Sequence, residues 1–239
     1  MKSFKNTLLI SLFFTFIISQ AQIPTSVRVK NAIKEKKEYL TKLAEQKDLK
    51  LGNDVFIRII KDEYLLEVWL KKDEKFKLLK SYKICSYSGG LGNKKKQGDG
   101  KSPEGFYFVK PYQLNAWSNY YLAFNIGYPN KYDKIHNYTG NYLMVHGNCC
   151  SIGCYAMTDD YIKEIYTVIY EAFKAGQPFF RIHIFPYRMT ETNLKKYNTA
   201  DYKEYYNFWE NLKEGYNIFE NSKIPPDVNV VNGKYSFNK

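Results

Sequence analysis

The sequence predicts a β-rich α+β fold, one β-rich domain with helices packed around it, and three observations predict it. Short β-branched and aromatic runs follow one another from Val55 to Cys85 with only charged turns between them. Apolar residues recur at helical spacing on either side, at Val29 to Ala44 and at Ile162 to Phe173. The 239 residues are 44% apolar and 18% aromatic, material for one large domain or two small ones, which excludes intrinsic disorder and fibrous repeats.

The first segment reads as a leader over residues 1–21. Lys2 and Lys5 precede an apolar run from Leu8 to Ile18, and Ser19-Gln20-Ala21 puts small residues at the −3 and −1 positions of a cleavage site following Ala21. The run is too short for a membrane span, so no stable transmembrane anchor is expected, and no Cys at the cleavage site marks a lipoprotein. The chain carries a formal charge of +12, which falls to +10 when Lys2 and Lys5 leave with the leader. An exported, periplasmic or wall-associated protein of that charge meets anionic wall polymers, and no nucleic acid is expected as a partner.

Residues 22–53 read as an N-terminal helical segment, with Val29, Ala32, Ile33, Leu40, Leu43 and Ala44 on one face of a helix over about residues 28–47, ended by Gly52-Asn53-Asp54. Strands are expected at Val55 to Ile60, Tyr64 to Leu70 and Phe76 to Cys85, with turns at Lys61-Asp62-Glu63 and Lys71 to Lys75. Ser88 to Lys101, rich in Gly and Lys, reads as a cationic loop. Gly105 to Lys110 returns to strand, an aromatic stretch from Tyr112 to Tyr138 turns at Gly127 and Pro129-Asn130, and Tyr142 to His146 is a buried strand. A helix follows, capped by Thr158 or Asp159 and stopped by Gly176, then a strand from Phe179 to Phe185. The central stretch is bounded at 54–190. The remainder, 191–239, reads as a helix marked by Tyr202, Tyr205, Tyr206, Trp209 and Leu212 and ending at Gly215, then an extended tail.

Chemistry is concentrated at His146-Gly147-Asn148-Cys149-Cys150-Ser151-Ile152-Gly153-Cys154. A strand delivers His146 to its end, and Cys154 follows a small-residue loop ahead of a helix. A neighbouring imidazolium and a helix N-terminus lower a thiol pKa, whereas the apolar neighbours Ile152 and Ala156 raise it, so an ion pair with His146 has to prevail for Cys154 to be a thiolate. Gly153 leaves backbone N–H groups free to face an oxyanion, and Ser151 is suited to bond nearby backbone. Three of the four cysteines lie within six positions, so at most one long bridge is expected, from Cys85 to Cys149 or to Cys150. By residue type, His146, Cys149, Cys150 and Cys154 also make a zinc set, but adjacent ligands are geometrically awkward, and no metal or cofactor is expected. His183 shares a strand face with Arg181 and Phe185 and reads either as a cleft residue or as a hydrogen-bonded structural histidine; His136 reads as a solvent-facing loop residue.

The pattern H-G-x-C-x-S-x-G-C-Y-A-M-T-D from His146 to Asp159 resembles the active-site segment of the L,D-transpeptidase catalytic (YkuD-type) domain, in its murein branch. Gly98-Asp99-Gly100-Lys101-Ser102-Pro103-Glu104-Gly105-Phe106-Tyr107 is similar to that family's G-D-x-x-[ST]-P-x-G-x-Y element, and Phe124 to Asn130 and Arg181 to Met189 resemble further segments. The resemblance implies packed mixed β-sheets with a helix beside the active site, Cys154 as nucleophile and His146 as its base. It also implies that the Gly147 carbonyl orients the imidazole and that amides around Ile152 to Cys154 form an oxyanion hole. Much of the wider family has a second histidine before the G-C pair and an arginine or asparagine two residues after the cysteine, where this chain has Ile152 and Ala156.

The expected reaction is acyl transfer through a Cys154 thioester, and the resemblance implies peptidoglycan stem peptides as its substrate; Lys94 to Lys96 and Lys101 read either as guides for an anionic substrate or as a solvated loop. Two alternatives remain open from the sequence. One is a hydrolase on the same scaffold, cutting a crosslink or releasing a wall-attached protein; the other is a non-catalytic wall-binding module.

Overall fold

Val55–Ile60 (β1) is buried at all six positions. Its sequence is apolar almost throughout instead of alternating because a strand covered on both faces has no solvent side. In the computed structural model, which describes residues 22–238, β1 lies mid-sheet with β2 (Leu65–Lys72), β3 (Lys75–Lys83), β4 (Gly105–Val109) and β9 (Phe180–Phe185). The order is β3-β2-β1-β9-β4, with β1 parallel to β9 and the other pairs antiparallel. The expected leader falls outside the described residues.

The two faces of this sheet carry different partners. Val55, Ile57 and Ile59, with Leu66, Val68, Leu70, Ile182 and Ile184, join one core with α1 (Val27–Gln46) and α3 (Asp159–Lys174). The alternate positions Phe56, Ile60, Trp69, Phe106 and Phe185 face α5 (Tyr206–Ser222), which supplies Trp209, Leu212 and Phe219. Arg58, on that second face, is buried with its Nε 2.7 Å from Glu67 Oε2, its register partner across the β1–β2 pair.

A second sheet, β5 (Leu114–Asn115), β6 (Ala123–Asn125), β7 (Met144–His146) and β8 (Tyr155–Ala156), is antiparallel except for the parallel β7–β8 pair. Phe124 and Val145 from it enter the same core as α1 and α3. Thr158, rather than Asp159, caps α3, its side chain accepting from the N–H of Tyr161, and Gly176 takes φ +109° just beyond the helix.

Several elements differ from the sequence expectation. Gly215 does not stop the last helix, which runs on to Ser222; a Cβ there would lie 2.5 Å from the Phe237 ring and 2.6 Å from that of Phe106, so this glycine permits close packing. Short helices occupy Lys131–Ile135 (α2) and Glu191–Tyr197 (α4). The tail folds into a hairpin, β10 (Asp227–Val231) and β11 (Lys234–Asn238), turning at Asn232-Gly233 with both residues at positive φ.

Candidate active site

β7 and β8 build the site. Their register pairs Val145 with Tyr155 and His146 with Ala156. Cys154, one residue before β8, therefore stands alongside the start of β7, and its Sγ lies 3.8 Å from the carbonyl oxygen of Tyr142. The two-residue pleat puts position 154 on the side of β8 taken by Ala156, the partner of His146. The ladder is pinned beyond the pair: Met157 donates to the His146 carbonyl at 2.7 Å, and Ala156 donates to Ser86 at 2.8 Å.

His146 is buried, with Nδ1 2.6 Å from the carbonyl oxygen of Gly147 and the Tyr120 ring 4.6 Å from its own. Nδ1–H donates to that carbonyl, which leaves the Nε2 lone pair free to accept a proton. Gly147 donates to the Tyr120 carbonyl at 3.0 Å, and a Cβ on it would come within 2.5 Å of Asp159 Oδ1, which accepts from the N–H of Asn148. Glycine at 147 is thus a packing requirement.

Burial pulls the His146 imidazole below its usual pKa against the opposing hydrogen bond to Gly147. Burial also pushes the Cys154 thiol up, against the N–H of Met144 and the charge of Lys94. Both shifts favour the neutral partners. β8 intervenes between Cys154 and α3, and the first turn of α3 carries Asp159 and Asp160, whose charge offsets the helix N-terminus. Of the two apolar neighbours, Ile152 is 92% exposed, whereas Ala156 is fully buried.

The loop between the two residues is held by its own groups. Ser151 Oγ donates to the Cys154 carbonyl at 2.6 Å, and Gly153 takes φ +107°, which a side chain would strain. Neither Ile152 nor Gly153 gives its N–H to a protein acceptor among the described residues. Cys149 is bridged to Cys85, with Cα atoms 5.3 Å apart, while Cys150 and Cys154 are free thiols. A bridged Cys149 is not a thiolate ligand, and among the described residues no group of three or more His, Cys, Asp or Glu side chains is arranged to hold a metal.

The cationic loop is less available than its sequence implies. Lys94 is buried against Asp99 at 2.7 Å; burial pushes the Asp99 carboxyl up, but Lys94 and the N–H groups of Lys96, Lys95 and Lys101 hold it at about 2. Lys95 pairs with Glu204 at 2.5 Å, and Lys101 donates to the carbonyls of Gly89 and Leu91. Of the four lysines, Lys96 has no partner among the described residues and Lys101 has only neutral ones, so these two carry the loop's uncompensated charge.

His183 is buried among Phe56, Phe106 and Phe185 with Nδ1 unpartnered, on the wall of a cavity it shares with Arg181, Asp227 and Tyr235. His136 stacks on Tyr132 at 4.1 Å and is half-buried. Lys61 opens the turn after β1, as expected, with Tyr64 donating to its carbonyl at 3.0 Å, but its side chain is fully buried against Glu104. The quoted segment around Ser102-Pro103-Glu104 was the available signal for that partner.

Residues 54–184 match the family described as the L,D-transpeptidase catalytic domain, YkuD. The chain belongs to this family. It is 51% identical over 195 residues to the Escherichia coli (strain K12) protein named "Putative L,D-transpeptidase YafK", covering 82% of this chain and 78% of that one. The YafK sequence of E. coli O157:H7 matches with the same identity and coverage. Among solved structures, the helical cell shape determining protein Pgp2 of Campylobacter jejuni aligns with a TM-score of 0.45 at 19% identity over 82% of this chain and 80% of that one. Bd1075 of Bdellovibrio bacteriovorus aligns with a TM-score of 0.42 at 21% identity over 76% and 78%. No helix among the described residues is long and apolar enough to cross a membrane.

Proposed function

We propose that this YkuD-family chain is an exported cysteine L,D-transpeptidase that transfers acyl groups between murein stem peptides through a thioester on Cys154. The observation that carries the reading is the parallel β7–β8 register, which aligns Cys154 with the strand ending in His146, whose Nδ1 is engaged by Gly147.

Because both partners are biased to the neutral state, the imidazole acts as a general base rather than as half of a standing ion pair. Nε2 of His146 takes the thiol proton as Sγ attacks the carbonyl of the donor peptide. The N–H groups of Ile152, Gly153 and Cys154 receive the oxyanion, with Ser151 holding the turn that aims them. His146 then protonates the departing amine. An incoming amine, deprotonated at the same nitrogen, attacks the thioester and restores the thiol.

A hydrolase on the same scaffold, cutting a crosslink or releasing a wall-attached protein, is the second reading. It is favoured by Ile152 and Ala156, which offer no polar side chain where much of the wider family has one. Incubation with tetrapeptide muropeptides and mass analysis of the products separates them: crosslinked dimers are expected, and shortened or detached species without dimers favour hydrolysis. A carbapenem adduct mapped to Cys154 and absent from Cys154→Ala is expected in either case. No turnover and no thiol acylation would leave a wall-binding module.

A further inference from the structure

Lys61 offers three N–H donors and meets three acceptors: Glu104 Oε1 at 2.8 Å and the carbonyl oxygens of Gly92 and Ser102, each at 3.0 Å. Neither Lys61 nor Glu104 has any exposed side chain. Glu104 also accepts from the N–H of Gly92 at 2.7 Å and from Trp209 Nε1 at 2.8 Å, so α5 is tied to the pair. On the far side of this cluster, Ser102 Oγ shares its one proton between the Ser88 carbonyl at 3.3 Å and the Cys154 carbonyl at 3.4 Å, and the Pro103 carbonyl accepts from Tyr155 OH at 2.7 Å. Two adjacent residues fixed by the buried pair therefore hold the backbone of the candidate nucleophile and the side chain of its neighbour.

We propose that Lys61 and Glu104 are positioning residues for the reaction at Cys154, setting residues 102–103 and through them the backbone from which Sγ projects. The proposal rests on Cys154 as nucleophile. A paired, fully hydrogen-bonded buried charge suits this task because its acceptors are fixed in direction, so the loop ends at Gly92 and Ser102 have one arrangement. Burial also keeps water from the carbonyls that the lysine holds.

The test is site-resolved alkylation of Cys154 by iodoacetamide across pH, read by peptide mass spectrometry to separate Cys150, together with kcat and KM on muropeptides. The full chain is compared with Ser102→Ala, Trp209→Phe and Lys61→Met. Loosening the anchor admits water to Cys154, so its alkylation midpoint is expected to fall towards that of an ordinary thiol. Meanwhile kcat is expected to drop at least threefold in Ser102→Ala and Trp209→Phe, with KM changed less than twofold. Lys61→Met, where it folds, is expected to lose tenfold or more. If Ser102→Ala and Trp209→Phe keep both the wild-type alkylation profile and kcat, the positioning role is overturned whatever becomes of Lys61→Met. A wild-type chain with no turnover overturns the enzymatic reading instead, and the alkylation profiles still judge the positioning.

Discussion

The Nδ1 of His146 lies 2.6 Å from the carbonyl oxygen of Gly147, its neighbour in the chain. A residue that orients its own side chain through the next peptide needs no carboxylate partner, and the imidazole remains neutral. Burial moves its pKa below the usual value, so the deprotonated base persists to more acidic pH than a free histidine allows. The acid limb of the kcat/KM profile is expected to lie below about pH 6.5. His146→Ala is expected to lose about 10²-fold or more in kcat, by initial rates on muropeptides.

The Cys85–Cys149 bridge joins positions 64 residues apart. It ties the loop after β7 to the segment whose Ser86 pairs with Ala156 beside Cys154. Cys85→Ser with Cys149→Ser is expected to lose about 2–5 kcal/mol of stability. Urea unfolding with and without reductant checks this: reductant should lower the wild-type midpoint and leave the double variant unchanged.

His183 is held neutral by burial, helped by the nearby charges of Arg181 and Arg58, which pulls its pKa well below normal. The unfolded chain therefore binds a proton that the folded one refuses, so this contribution is complete above about pH 6.5 and is lost as pH falls below it. Asp133, which burial raises to about 6, works in the opposite direction. Replacing His183 with Phe isolates the histidine. Between pH 8 and pH 5 the wild type should lose up to about 2 kcal/mol more than His183→Phe, measured by denaturant unfolding at both pH values.

Gly215 sits inside α5, where alanine would improve helix propensity by about 1 kcal/mol. The rings of Phe106 and Phe237 occupy the position of the added methyl. Gly215→Ala is expected to destabilise the protein by about 1–3 kcal/mol, read as a lowered urea midpoint.

Sequence patterns revealed those parts of the fold whose cause is local. The unbroken apolar run of β1 and the helical spacing of α1 and α3 reflect burial, which leaves a periodic trace. The stretch from His146 to Cys154 was legible because strand, small-residue loop and thiol are contiguous. Tyr155–Ala156 escaped notice because two residues are too few to show a period; they are a strand only through β7 and Ser86. Lys61 sits in a charged turn and Lys94 in a cationic loop, and nothing adjacent to either reveals a buried carboxylate 43 residues away or a folded-back Asp99. The Asn232-Gly233 hairpin was a missed signal rather than a hidden one, because that dipeptide favours the positive φ values found there. Gly215 misled because a glycine that accommodates neighbouring rings and one that ends a helix look alike in one dimension.

The central sheet is covered on one side partly by α1 and on the other by α5, and both helices lie outside the 54–184 stretch shared with the family. A fragment trimmed to that stretch would bare Phe56, Trp69 and Phe106 to water and strand Arg58 and Glu104 without Glu220 and Trp209. The minimal folding unit is therefore longer than the minimal recognisable one, and trimming to that stretch is expected to yield insoluble protein.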